Sequence, residues 1–329
     1  MLELIKTLCT YGGVTGDEAK IASLIGDIAK KHADECYTDK MGNLIALKKG
    51  KSSEKKVVFS SNMDISGFIV THVEENGKIR FSDLGACSAV ALAYSRVILP
   101  SGAYGVIVPD SPASKDFKIS DMYLDVGATN KEEAEKAVTL GDTFTTVPHL
   151  TPLQNGKIAS NALDCRAGCA ILLKVMEDCS PEYDTYFVFT AQKNFTSRGA
   201  RASVFPLNPD VAITISASQR EKAENKNLPP VTLGMGGGLL IKDRTAIYSE
   251  RLINMVRDIA DVKGLALQNE FSNLVGTDAS VMQVATRGTE ICNLTIPFSF
   301  FDTGIQMASI SDIECIYAIV NELANTNIF

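Results

Sequence analysis

Hydrophobic positions along this chain keep changing period, and the changes mark out its organisation. Near the start, Ile21, Leu24, Ile25 and Ile28 recur at helical spacing behind Asp17 and Glu18, which predicts an amphipathic helix with an acidic first turn. Tyr37-Thr38-Asp39 then leads through Met41-Gly42-Asn43 into Leu44-Ile45-Ala46-Leu47, a hairpin pattern, and Lys56-Val57-Val58-Phe59-Ser60 predicts a short buried strand. From about 68 to 153 the texture differs. Short β-like runs such as 78–84 and 105–108 are broken by Gly and Pro, around a single helix predicted over 131–138. Thr129, with Glu132 three residues on, gives that helix a capping-box start. Beyond this stretch, helical patterns over 162–178, 198–205, 247–263, 278–285 and 311–325 alternate with strand patterns over 185–192, 211–217, 265–271 and 291–297. Such alternation predicts an α/β fold with a largely parallel sheet covered by helices. The simplest architecture is an α/β domain, 1–67 and 154–329, interrupted by an inserted β-rich domain, 68–153.

Composition narrows the function classes. The 329 residues are 45% hydrophobic and 22% charged, ordinary for a globular chain. A net charge of −7 and a pI near 5.2 argue against nucleic acid or an anionic membrane as partner, since both need a basic surface. Met1-Leu2-Glu3-Leu4 starts no signal-peptide pattern, and no apolar run is long enough to span a bilayer, so a cytoplasmic protein is expected. The eight cysteines form no C-x-x-C pair and read as buried free thiols. Cys165 and Cys169 share a helix face, but His32, His72 and His149 offer neither of them a visible base. The glycine-rich Leu233-Gly234-Met235-Gly236-Gly237-Gly238 lacks the lysine and serine of a phosphate loop and reads as a turn.

Ligands of open α/β sheets bind beyond the carboxyl ends of the strands. The residues following the predicted strands are therefore the candidates: Asn62 and Asp64, Lys193 and Asn194, Ser216, and Asp302, with Asp164 at a helix start. Taken alone, they read as solvated loop ends sooner than as a converging rim.

Several of these stretches, in this order, carry a resemblance. Gly13-Val14-Thr15-Gly16-Asp17-Glu18, Asp39-Lys40-Met41-Gly42-Asn43-Leu44 and Asn62-Met63-Asp64-Ile65-Ser66-Gly67-Phe68 come first. Leu124-Asp125-Val126-Gly127-Ala128, Ala162-Leu163-Asp164-Cys165-Arg166, Gln192-Lys193-Asn194 with Arg198-Gly199-Ala200, and Gly276-Thr277-Asp278-Ala279 follow. Together they resemble the tetrahedral, deblocking and glutamyl aminopeptidases, some of which carry the older name cellulase M. The resemblance implies a zinc-peptidase-like α/β sandwich with an inserted PDZ-like β domain used in assembly. It also implies removal of N-terminal residues from peptides by two divalent ions, a metal-activated water and a glutamate base.

Carried over position by position, the resemblance puts Asn62 where the family has its first histidine ligand. It keeps the bridging aspartate as Asp164, and it puts Lys193 at the general base and Asn194 at the adjacent glutamate ligand. Ser216 stands for an aspartate ligand and Asp302 for the final histidine, while Asp64 survives from the shell behind the ligands with nothing to orient. Five of the six catalytic and ligand positions are thus replaced. The expectation is a catalytically inactive, structural or regulatory homologue without a cofactor. It would form a homo-oligomer between dimer and dodecamer, alone or with an active paralogue, and a peptide ligand remains open. Two alternatives stand beside it: a hydrolase holding one hard ion, Mg or Mn, on Asp64, Asp164 and Asp302, and an ordinary aminopeptidase with two Zn or Co ions. With the metals gone, Lys193 is expected to point into the pocket and pair with Asp164.

Overall fold

The computed structural model describes residues 1–111, 117–218, 231–273, 276–285 and 287–329. Four strands lie side by side and parallel at the centre of the main sheet, in the order Tyr183–Thr190, Ser52–Asn62, Val211–Ser218 and Glu290–Ser299. Their apolar runs, Val57-Val58-Phe59, Phe187-Val188-Phe189 and Val211-Ala212-Ile213, are buried throughout, as expected of strands covered on both faces.

The sheet as a whole is mixed, which corrects the expectation of a largely parallel one. On one side Leu44–Lys48 and Glu35–Thr38 add antiparallel. On the other, Gln306–Ser309, Lys157–Ser160 and Thr151–Pro152 continue antiparallel. Gly237–Lys242 branches off Glu290–Ser299 antiparallel and carries Leu267–Phe271 parallel to itself. The connections explain the difference. Strands joined by a tight turn, as 35–48 and 151–160 are, can pair only antiparallel, whereas parallel neighbours need a long crossover.

Helix Leu163–Asp178 lies against the face of the sheet that displays Ser61 and Ile215, and helix Asp278–Gln283 lies against the opposite face, where Met282 meets Ser60. Consecutive residues of a strand point to opposite faces, so Ser60 and Ser61 mark the two sides. The long helix comes close because Gly168 has no side chain: a Cβ there would lie 2.1 Å from Ser61 Oγ.

A second set of strands closes into a six-stranded barrel: Gly67–Val73, Ile79–Leu84, Met122–Asp125, Tyr104–Pro109, Arg96–Ile98 and Thr143–Thr146. It has its own core, in which Phe68, Phe81 and Phe144 form a triangle with ring centroids 5.1 to 5.3 Å apart. Closure leaves no free strand edge. The helix predicted over 131–138 is shorter, Lys131–Ala134, and its cap is Asn130, whose Oδ1 accepts from Glu133 N–H at 3.0 Å. Glu133 reaches back to Thr129 N–H and Oγ1, both at 2.8 Å, so the cap and its acid, Asn130 and Glu133, sit one residue later than the sequence pattern suggested. The chain then tightens into i to i+3 bonds, Glu133 to Lys136 and Ala134 to Ala137. Residues 233–236 form the expected turn, with Gly234 and Gly236 N–H groups donating to the Asp312 carboxylate at 2.7 and 2.9 Å. Among the described residues no helix is long and apolar enough to cross a membrane.

Gly168→Ala should destabilise the protein by about 1–3 kcal/mol, the usual cost of forcing an extra group into a filled core. Ser61→Ala in the same chain should recover part of that loss, measured by urea denaturation. Unchanged stability in the single variant would contradict the close approach.

Candidate functional site

The carboxyl ends of the central strands deliver their residues to one edge of the sheet. Ser52–Asn62 ends on Asn62, and two residues later stands Asp64, 1% exposed. A carboxylate taken out of water must accept hydrogen bonds to stay tolerable. Asp64 Oδ2 accepts from Thr15 Oγ1 at 2.8 Å and from both the backbone N–H and the side-chain Nδ2 of Asn194 at 3.2 Å, while Oδ1 accepts from Asn62 Nδ2 at 3.2 Å. Asn62 Nδ2 also donates to the Asp64 carbonyl at 3.0 Å, and Asn194 Nδ2 to Thr15 Oγ1 at 2.9 Å. Asp64 therefore does have something to orient, which corrects the expectation: it holds the two amides at 62 and 194.

Asp164 opens helix Leu163–Asp178, its backbone N–H donating to Gln306 Oε1 at 2.9 Å. Its Oδ1 is sealed from solvent without a hydrogen-bond partner. Burial pushes this carboxyl up from its ordinary value, and the Lys193 charge works against that rise. Two residues on, the wholly buried Arg166 guanidinium is spent on the backbone. It donates to the carbonyls of Leu8 at 3.1 Å, Tyr11 at 3.4 Å, Gly12 and Met63, and to Cys165 Sγ at 3.2 Å. Burial raises the thiols of Cys9, Cys165 and Cys169 in the same region, so they are protonated and unreactive.

The loop between Tyr183–Thr190 and Arg198–Leu207 carries Lys193 and Asn194, and it is strained. Gln192, Thr196 and Ser197 all take left-handed φ, 53°, 62° and 53°, at about 1 kcal/mol or more each for residues with a Cβ. Buried Glu18 pins it from behind, its Oε1 accepting from Gly16 N–H at 2.9 Å and Gln192 N–H at 3.0 Å. Gly199 closes it, since a Cβ there would lie 2.2 Å from both Ala191 O and Asn43 Oδ1. Among the described residues the Lys193 ammonium has no hydrogen bond and no ion pair within 4.0 Å. The expected direct pair with Asp164 is thus absent. Lys193 and Asp164 line one cavity, and the Lys193 charge acts on Asp164 without a direct pair.

Ser216 is buried in a polar ladder, accepting from Asn293 Nδ2 at 2.9 Å. Asp302 lies in an exposed turn with φ 57°, its carbonyl accepting from Ser88 N–H at 2.6 Å. Asp302, Lys193 and Asn194 all line two cavities, of about 80 and about 500 Å³. Asp164 lines the smaller and Ser216 the larger. Asn62 and Asp64 line neither and are buried. Among the described residues no three His, Cys, Asp or Glu side chains group as a metal could require.

Sequence reading singled out neither Asp278 nor Glu18 individually. Asp278 is 4% exposed, accepts from Thr190 Oγ1 at 2.5 Å and leaves Oδ1 without a partner. Burial raises it, opposed first by the Lys193 charge. Both residues lie in quoted motifs, and an acid at the start of an apolar helix, as in Gly276-Thr277-Asp278-Ala279, was the available signal.

The profile of the M42 glutamyl aminopeptidases matches residues 42–319. The chain belongs to the M42 family. It is 31% identical to a putative aminopeptidase of Acetivibrio thermocellus, over 95% of each chain. It is 29% identical to the lysyl aminopeptidase of Pyrococcus furiosus, over 95% of this chain and 93% of that one. Among solved structures, a TET aminopeptidase from a thaumarchaeal marine-sediment archaeon superposes with a TM-score of 0.93 at 26% identity, covering 98% of this chain and 96% of that one. The Pyrococcus horikoshii TET1 peptidase, which can assemble into a tetrahedron or a large octahedral shell, gives 0.89 at 26% identity over 99% of both. The mixed α/β fold is that of the TET aminopeptidases.

Glu18, placed under the M42 loop, generates a pH prediction. Burial raises its carboxyl above the ordinary 4.5, against the two N–H groups that it accepts. The neutral form then favours the folded state, fully so below 4.5, and this contribution is lost as pH rises through the folded-state value. Glu18→Gln keeps an acceptor without the charge. Its stability relative to the parent should rise from pH 4.5 to neutral pH in urea denaturation; a relative fall over that window would contradict the assignment.

Proposed function

We propose that this chain is an M42 homologue that does not hydrolyse peptides and serves as a structural or regulatory subunit of a homo-oligomer. The observation that carries the reading is Lys193, a half-buried lysine at the position where the resemblance expects a general base. An ammonium cannot take a proton from water unless its pKa falls far, and here the Lys193 charge opposes the burial that raises the carboxyls of Asp164 and Asp278.

The donor set supports the same conclusion. A dinuclear zinc pair needs imidazoles and carboxylates around a bridging carboxylate. At the matching positions Asn62 and Asn194 offer amides already bonded to Asp64, and Ser216 offers a hydroxyl already bonded to Asn293. Only Asp164 and Asp302 remain as carboxylates toward the cavity. These residues do not fit two zinc ions. A single hard ion on Asp64, Asp164 and Asp302 is less well supported, because the donors of Thr15, Asn62 and Asn194 occupy the Asp64 oxygens. An ordinary aminopeptidase would need a base that the loop does not supply.

Assembly is proposed from the relatives. The Pyrococcus horikoshii TET1 peptidase forms closed shells, and near-complete mutual coverage leaves the same framework available to this chain. The barrel, within 68–153, is the proposed inserted assembly unit, and an active paralogue is a candidate partner in the shell.

The purified protein, supplied with zinc or cobalt, should turn over aminoacyl and short peptide substrates at least about 1000-fold more slowly than an active family member, since base and ligands are lost together. Light scattering should give an oligomer at micromolar concentration. Turnover near that of an active relative would overturn the proposal, and a monomer would overturn its assembly part.

A further inference from the structure

The main sheet ends on one side at strand Glu35–Thr38, which pairs only with Leu44–Lys48. In an antiparallel ladder, alternate residues turn their N–H and C=O toward the partner strand. Asp39 N–H donates to the Asn43 carbonyl at 3.0 Å, and Tyr37 and Glu35 follow at two-residue intervals, opposite Ile45 and Leu47. Cys36 and Thr38 therefore turn theirs outward, and among the described residues no strand pairs with that row. Beside it lies a cavity of about 630 Å³, between the hairpin and helix Ala19–Ala29. The helix lines it with the small residues Ala19, Ala22 and Gly26, and a Cβ at Gly26 would lie 3.4 Å from Leu44 Cδ1 on the neighbouring strand.

The two ends of this groove differ chemically. At one, Lys30 follows the helix and its charge acts on the Cys36 thiol. At the other, Gly42 approaches Ala191, and Gln192 N–H donates to Oε1 of Glu18, the residue that opens the helix, at 3.0 Å. Glu18 is 5% exposed and is the only buried ionisable residue on the groove among those described. Its Oε1 is taken by the Gly16 and Gln192 N–H groups, while no other described residue donates to its Oε2. Lys30 and Lys40 also line the groove but are exposed, and Lys30 stands 3.9 Å from Asp27 of its own helix.

We propose that this groove binds an extended peptide that adds as a further strand to the outer edge of Glu35–Thr38 and places a basic side chain on Glu18. The eleven residues of the helix span about 16 Å, room for about five residues of extended chain. Backbone bonds to Cys36 and Thr38 would supply the affinity and the charge on Glu18 the preference, the usual division in strand addition. The site lies behind the Lys193 loop, away from the two cavities at the strand ends. Because Glu18 also holds Gln192 N–H, an occupant of the groove steadies the stem of a loop that keeps Gln192, Thr196 and Ser197 in costly left-handed φ. The groove is thus a regulatory site coupled to that loop, whichever chemistry the loop serves.

The test is fluorescence anisotropy of the intact protein with a labelled, end-blocked probe, Thr-Val-Lys-Val-Thr, whose β-branched residues favour an extended chain and whose central lysine serves either direction of binding. Two further probes carry norleucine in place of the lysine, or N-methyl groups on alternate amides. The parent should bind the first probe saturably and the N-methylated one at least ten-fold more weakly, with the norleucine probe between them. Thr38→Pro should weaken the first probe at least ten-fold. Its outward N–H leaves the ladder intact, and proline is tolerated at such edge positions. Glu18→Gln should remove the preference for lysine over norleucine. Hydrogen exchange of residues 191–198 should slow when the first probe is bound. No saturable binding, equal affinity for the N-methylated probe, or an unchanged affinity in Thr38→Pro would overturn the proposal. The N-methylated probe is read on the parent chain, so the comparison stands even if a variant misfolds.

Discussion

A carboxylate buried at the end of a strand must find donors, and the donors of Asp64 organise this edge of the molecule. Thr15 reaches it from the N-terminal segment, Asn62 from its own strand, and Asn194 from the loop of the next strand. Three separate pieces of chain are tied to one charge. In a metallopeptidase such a carboxylate stands behind a histidine and acts on the metal through it. Here it closes on neutral amides, and the bonds that would have tuned a ligand hold the polypeptide together instead.

The same substitution of internal contacts runs through the rest of the site. Ser216 joins a ladder with Asn293 and Thr214. Arg166 is consumed by carbonyls. Lys193 brings a positive charge to the cavity that Asp164 and Asp302 line, and that charge opposes the burial that raises Asp164 and Asp278. It does so without a direct pair.

Much of this was legible in the sequence. The strand Lys56-Val57-Val58-Phe59-Ser60 and the helix over 162–178 stand out by period alone, because both are buried by neighbours that any sheet of this class must have. The sense of the flanking strands was not legible, since it depends on the short connections between them. The helix near 131 misled because Thr129-Glu132 and Asn130-Glu133 have the same capping spacing one residue apart, and Asn130 is the residue that caps. Of the residues at this edge, strand ends named Asn62, Lys193 and Asp302, and a helix start named Asp164. That reading missed Glu18, whose value depends on Gln192, 174 residues away. It also misjudged Lys193, because opposite charge predicts attraction but does not fix a direct pair.

The central claim is that the residues at these positions, amides and a hydroxyl bonded internally beside a lysine, do not assemble a zinc pair. Equilibrium dialysis of the purified protein against a slight excess of zinc, followed by elemental analysis, tests this most directly, with an active M42 aminopeptidase dialysed alongside. The account predicts far less than one zinc ion retained per chain and no difference between the parent and Asp164→Asn. Two ions retained per chain, with loss of both in Asp164→Asn, would contradict it.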